Sequence, residues 1–258
     1  MYIDVEKNSF RLKKTFTISR GSRTTADVLT ITIKDRGSKG WAECVPYKRY
    51  NESLESVTKQ IESVKLPINI SQLQELLEPG SARNALDCAL WDLKAKITGS
   101  PVWKLLKIEE PKPSITAYTI SLDTPEKMEQ EAIQKENYPI LKVKLGDFND
   151  EECIRAVRKG SPNSRIIVDA NEAWTPEKYI YLAPIFKKLG VELVEQPFPA
   201  GKDSALKNLD RILPVCADES CHDLKSLVNL LGLYDCINIK LDKTGGLTEA
   251  IKVLEEAR

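Results

Sequence analysis

The chain has no net charge, almost no histidine and no long apolar run. Its 38 basic and 38 acidic residues cancel, so no overall field draws it onto phosphate backbones or anionic lipid. Nucleic acid and membrane surfaces are therefore excluded as first readings of its partners. No apolar stretch approaches the ~18 residues of a spanning helix. The start, Met1-Tyr-Ile-Asp-Val-Glu, lacks the basic segment followed by an apolar one that marks export, and a cytoplasmic location is the expectation. A single histidine, His222, and six scattered cysteines without CxxC spacing leave little for zinc and point to reduced thiols. Neither a GxGxxG nor a GKS/T loop follows the first strand of the strand-helix region, which speaks against a nucleotide-binding open sheet. Internal repeats, low-complexity tracts and flexible linkers are also missing.

What is present is enough for a large core: 258 residues, 41% hydrophobic and 29% charged, fitting one large domain or two modest ones. The first hundred residues read as strands followed by helices. A hairpin runs from Val28–Ile33 through Arg36-Gly37 to a return strand at Trp41–Cys44, and helical patterns follow at 52–65, 71–77 and 81–98. In the last of these Ser81 is the expected N-cap, Ala82, Ala85, Leu86, Ala89, Leu90, Leu93 and Ile97 recur at helical spacing, and Gly99 and Pro101 stop the run. From about Pro113 short apolar strands alternate with helical stretches: strands near 115–120, 140–144, 165–169, 191–195, 214–218 and 236–240, helices near 125–136, 150–158, 176–188, 204–212, 224–231 and from Leu247 onward. Six strand-helix units in series imply an α/β fold with a parallel sheet. Periodicity alone leaves an open doubly wound sheet and a closed barrel equally admissible.

Each of the last five strands ends on a charged residue: Lys144, Asp169, Glu195, Asp218 and Lys240, at intervals of 25, 26, 23 and 22 residues. In a parallel barrel the C-terminal strand ends meet around one mouth, so the five converge. Period-two alternation puts Lys142 on the same face as Lys144. Charges at an apolar barrel mouth are costly unless they are paired or bind something. Three carboxylates from successive strands make an all-oxygen set suited to Mg²⁺, and lysines on opposite sides of that set suit removal and return of a proton at one carbon. The alternative is that these are structural ion pairs at strand ends.

The motifs SRGSR (19–23), ECVPYKRY (43–50), ARNALDCALWDL (82–93), LKVKL (141–145), VDANEAW (168–174), EQPFPA (195–200), ADESCH (217–222) and NIKLDKTGGLTEA (238–250) resemble those of the enolase superfamily, in its muconate-lactonizing subgroup and, within it, the L-Ala-D/L-Glu dipeptide epimerases. The resemblance implies an α+β capping domain over residues 1–112 followed by a modified (β/α) TIM barrel over 113–258. It implies Asp169, Glu195 and Asp218 as Mg²⁺ ligands, Lys144 and Lys240 as the two acid/base catalysts, and Lys142 as a support for the substrate carboxylate. This superfamily's lysine-plus-Mg²⁺ chemistry is itself a standard example of tuned proton transfer. Arg20 and Arg23 are the implied partners of a glutamate side chain in a small dipeptide substrate; the alternative is two solvated arginines. His222 reads as a helix-start or supporting residue.

Members of this family continue through two further strands, so the expectation for this chain is a barrel lacking its last two strand units. Three outcomes follow from the sequence: an epimerase of murein peptide metabolism, a non-catalytic remnant, or a sister cycloisomerase or dehydratase-type activity. An open barrel would leave two unpaired edges, which a homo-oligomer or swapped assembly would cover.

Overall fold

A computed structural model describes residues 1–146 and 149–258. It begins with a three-stranded antiparallel sheet, β1 (Tyr2–Ile18), β2 (Gly21–Asp35) and β3 (Ser38–Cys44), in the order β1-β2-β3. The hairpin expected from Val28 to Cys44 is therefore the inner part of a larger sheet. The 17-residue β1 carries little strand signal in sequence because it is an edge strand rich in lysine and polar residues, with Ile3 and Val5 packed against the core.

Four helices follow, α1 (Leu54–Glu62), α2 (Ile70–Leu76), α3 (Ser81–Thr98) and α4 (Val102–Leu106); α1 and α3 pack on the sheet, and α2 and α4 pack on α3. Ser53 caps α1 and Asn69 caps α2, each in a reciprocal capping box. Ser81 does not cap α3. The N-cap is Gly80, at φ 153, and Ser81 sits in the first turn, donating its hydroxyl to Glu52 Oε2 at 2.7 Å and to Val45 O at 3.2 Å. Leu29, Ile31, Ile33, Ala85, Leu86 and Ala89, all completely buried, form the centre of this half. Burial of each such aliphatic side chain contributes about 1.5–3 kcal/mol for the larger ones.

The second half is a six-stranded parallel sheet of β4 (Ala117–Ile120), β5 (Ile140–Lys144), β6 (Arg165–Asp169), β7 (Val191–Glu195), β8 (Val215–Ala217) and β9 (Cys236–Ile237). The spatial order is β4-β5-β6-β7-β8-β9. Strict sequential order is that of a barrel wall; a doubly wound sheet reverses direction at a switch point. The helices are α5 (Pro125–Gln134), α6 (Asp150–Gly160), α7 (Pro176–Lys188), α8 (Leu224–Val228), α9 (Leu241–Thr244) and α10 (Leu247–Glu256). Between β7 and β8 the expected helix is a six-residue 3-10 turn, Asp203–Asn208. No helix among the described residues is long and apolar enough to cross a membrane.

Strand parity separates the two faces of the sheet. Leu141, Val143, Ile166, Val168 and Val194 are fully buried beneath the helices with Ile154, Val157, Tyr179 and Phe186. Lys142, Ile167 and Leu193, on the opposite face, are only half-buried. The charged strand ends belong to that inner face.

Candidate active site

The structure brings Lys142, Lys144, Asp169, Glu195, Asp218 and Lys240 together. Lys144, Asp169 and Glu195 close β5, β6 and β7, Asp218 directly follows β8, and Lys240 lies three residues beyond the short β9. Asp169, Glu195 and Asp218 are buried, and one carboxylate oxygen from each lies within 4.8 Å of the others. A buried, anionic, all-oxygen set of this kind suits a hard divalent ion such as Mg²⁺.

Each carboxylate has one oxygen held by a neighbour outside the predicted set and one held by Lys142, Lys144 or Lys240. Asp169 Oδ1 accepts from the Asn171 amide at 2.9 Å, while Oδ2 takes Lys144 Nζ at 2.6 Å and Lys142 Nζ at 3.1 Å. Glu195 Oε1 accepts from Asn238 Nδ2 at 2.8 Å, and Oε2 takes Lys142. Asp218 Oδ1 accepts from Lys243 Nζ at 2.8 Å, and Oδ2 takes Lys240. Burial works against ionisation of Asp169, but Lys142 and Lys144 outweigh it and hold its carboxyl low. The same contest at Asp218 is won by Lys243 and Lys240, which hold it well below the carboxylate range. Glu195 is pushed up, by burial and then by the neighbouring Asp169 charge. Lys142 and Lys240 lose stability as cations through burial, yet their carboxylate partners raise both.

Three residues behind this set were not singled out in the sequence. Gln196 is completely buried; its Nε2 donates to Phe198 O, Ser220 Oγ and Tyr234 Oη, and its Oε1 accepts from the Asp218 and Ser220 amides, tying the ends of β7 and β8 together. Asn238 and Lys243 are the other two. The one available signal was their place in the EQP and NIKLDK motifs, since a lysine in sequence reads as surface.

The capping half grips the site at two places. Along α3, Arg83 donates to Thr244 O at 2.8 Å and Gly245 O at 3.1 Å, and Asn84 Nδ2 donates to Asp242 Oδ1 at 2.7 Å. Asp87 accepts from the Thr248 hydroxyl and amide, and Trp91 Nε1 donates to Thr248 Oγ1 at 2.8 Å. This polar stripe fixes the segment that follows Lys240. Gly245 (φ +69) and Gly246 (φ +111) are required there: a Cβ on Gly246 would stand 2.5 Å from Asp87 Cβ.

The second grip is the hairpin turn of β1 and β2. Arg20 donates to Glu219 Oε1 at 2.7 Å, to Glu172 Oε2 at 3.0 Å and to Asn171 O at 2.9 Å, and Arg49 makes a two-pronged pair with Glu172. Gly146, after Lys144, passes so close to this turn that a Cβ would meet Ser19 Cβ at 2.7 Å. Arg23 is exposed, with its guanidinium over the Phe16 ring at 5.4 Å, and it lines a cavity of about 910 Å³ between β1 and the β4-α5 edge. No carboxylate among the described residues pairs with it. His222 hydrogen-bonds the Glu219 carbonyl at 3.0 Å and meets the Tyr50 ring edge-on; Asp223 beside it caps α8.

Comparison with known proteins agrees with this architecture. Residues 3–107 match the N-terminal domain of the mandelate racemase / muconate lactonizing enzyme family, and 126–258 match the enolase C-terminal domain-like family. The L-Ala-D/L-Glu epimerase of Escherichia coli K12 is 43% identical over 99% of this chain and 82% of its own length. A crystal structure of an enolase family member from Agrobacterium tumefaciens with homology to dipeptide epimerases, holding sodium and L-Ala-L-Glu, superposes with a TM-score of 0.96 at 46% identity, covering 99% of this chain and 80% of that one. A dipeptide epimerase from Cytophaga hutchinsonii, complexed with Mg and D-Ala-L-Val, gives 0.91 at 27% identity, covering 98% and 75%. With both of its domains matched and its buried carboxylate triad at the strand ends, the chain belongs to the enolase superfamily, in the mandelate racemase and muconate lactonizing enzyme family.

Proposed function

We propose that this chain epimerises dipeptides of the L-Ala-D/L-Glu type by moving one proton between Lys144 and Lys240, with Mg²⁺ held by Asp169, Glu195 and Asp218. The observation that carries this reading is the placement of two lysines at opposite ends of one carboxylate triad, Lys144 on Asp169 and Lys240 on Asp218. A proton beside a carboxylate is weakly acidic, and Mg²⁺, when bound by the triad, would supply positive charge against the negative charge that develops on the substrate carboxylate. Lys144 or Lys240 takes the α-proton from one face, and the lysine on the other face returns one, which inverts the carbon. Lys142, beside both Asp169 and Glu195, supports the substrate carboxylate.

The two arginines divide their work. Arg20 is committed to Glu219 and Glu172 and ties the turn to the barrel, while Arg23, at the start of β2 and free of such pairing among the described residues, receives the glutamate side chain. L-Ala-Glu is a fragment of murein peptides, which supports assigning the reaction to murein peptide metabolism.

The test is proton nuclear magnetic resonance in deuterium oxide with L-Ala-D-Glu and L-Ala-L-Glu. With Mg²⁺ the α-proton of either epimer exchanges and both epimers appear; a chelator stops both. Lys144→Ala and Lys240→Ala each abolish epimerisation, and each retains exchange from only one epimer. Absence of exchange on every dipeptide, or a product of changed composition, overturns the proposal.

A further inference from the structure

Among the three scaffold contacts that hold the inner oxygens of the triad, two are neutral donors, the Asn171 amide and the Asn238 side chain. The third is a cation. Lys243 has 1% of its side chain exposed, as has Asp218. Its ammonium has three protons and three acceptors: Asp218 Oδ1 at 2.8 Å, the Asp218 carbonyl, and Asn238 O at 3.0 Å. It thus joins the end of β8 to the segment leading into Lys240, and no donor is left for a substrate.

This arrangement divides Asp218. Oδ1 is fixed by a cation that cannot leave, and Oδ2 is shared with Lys240, whose side chain is half exposed. When Lys240 turns toward a substrate carbon it leaves Oδ2, and Lys243 is then the one side-chain cation still paired with this buried carboxylate among the described residues. At Asp169 a neutral brace suffices, because Lys142 stays on Oδ2 when Lys144 turns away; Asp218 has no second lysine of that kind on Oδ2 among the described residues.

We propose that Lys243 is a positioning residue that holds Asp218 Oδ1 so that Oδ2 can serve the metal while Lys240 is free to carry the proton. The proton-transfer part of this statement rests on the epimerase reading; the metal part does not.

The test uses Mn²⁺ as the probe, titrated by electron paramagnetic resonance. Lys243→Met strips three buried acceptors of their donor and can unfold the barrel, so Lys243→Gln, which keeps two donors without the charge, is measured beside it, with circular dichroism to establish folding. Both weaken Mn²⁺ binding about 10–100-fold, the usual effect of removing a partner behind a metal ligand. Tyr179→Phe removes a buried hydrogen bond to Leu213 O elsewhere in the barrel and keeps native Mn²⁺ affinity. In deuterium oxide, exchange from the epimer whose proton faces Lys240 falls by a larger factor than exchange from the epimer facing Lys144.

Native Mn²⁺ affinity in folded Lys243→Gln, an equal loss in Tyr179→Phe, or equal losses on the two faces overturns the proposal, as does a parent protein that binds no Mn²⁺. Lys243-dependent Mn²⁺ binding with no dipeptide exchange upholds the metal part and overturns the epimerase reading together with the proton-transfer part that rests on it.

Discussion

Replacing Asp242 by asparagine changes how stability depends on pH, and the size of the change follows from the contacts of this one carboxyl. Burial pushes Asp242 up from the ordinary 3.8 to about 6, against hydrogen bonds from Asn84, Val45 and Ser81 and with help from the Glu52 charge. The folded-state value lies above the unfolded one, so between about pH 4 and 6 the folded protein holds a proton that the unfolded chain has lost. The stabilisation from this group is complete below 3.8 and disappears as pH rises through about 6. At ~1.36 kcal/mol per pH unit the ionised carboxyl costs the folded state at most about 3 kcal/mol. Residual water contact reduces this to about 1–3 kcal/mol. Asparagine keeps an oxygen for Asn84 Nδ2 at 2.7 Å and for the long Val45 amide contact, and carries no charge at any pH.

In urea titrations of the metal-free protein followed by tryptophan fluorescence, Asp242→Asn therefore gains on the parent by about 1–3 kcal/mol between pH 4 and pH 7 and by nothing further above that. A difference that stays constant within about 0.5 kcal/mol over this range, near the uncertainty of the extrapolation, refutes the reasoning.

Gly246→Ala drives a methyl group into Asp87 at a positive φ and costs about 1–3 kcal/mol, read as a lower urea midpoint; an unchanged midpoint contradicts the clamp described for α3. Arg23→Met raises KM for L-Ala-Glu at least tenfold and leaves kcat/KM for a dipeptide with an uncharged second residue nearly unchanged, as expected for loss of a charge-assisted pair worth about 1.5–3 kcal/mol. Steady-state kinetics on the two substrates decides it, and equal losses on both would mean that Arg23 supports the loop instead.

The parts of the site that sequence disclosed are those set by short periods. Lys142 and Lys144 face the same way because strand side chains alternate, and Asp169 and Glu195 fall at strand ends because one strand-helix unit separates them. Helix α3 was readable at both ends to within a residue, although Ser81 looks the same whether it caps a helix or begins one; only the Gly80 dihedral distinguishes the two. What stayed hidden depends on contacts between distant segments. Arg20 and Arg23 are equivalent in sequence, and the difference between them is that Glu219 and Glu172 lie within reach of one. Lys243 could be recognised as interior only once the β8 and β9 ends were placed side by side. The 3-10 turn at 203–208 in place of a helix likewise answers to its surroundings: the Asp203 carboxylate is claimed by Ser220 and Tyr234.

The grip of α3 on the segment after Lys240 bears on recombination. If this capping domain is placed on another barrel, Arg83, Asn84, Asp87 and Trp91 meet a foreign segment in place of 242–248, where Asp242, Thr244, Gly245 and Thr248 now accept or donate to them. The natural unit for a chimaera is therefore not the contiguous N-terminal domain but that domain together with this short stretch of the barrel. The β1-β2 turn reaches the barrel through the side chains of Ser19 and Arg20 alone among the side-chain hydrogen bonds described, and is the smaller piece to regraft.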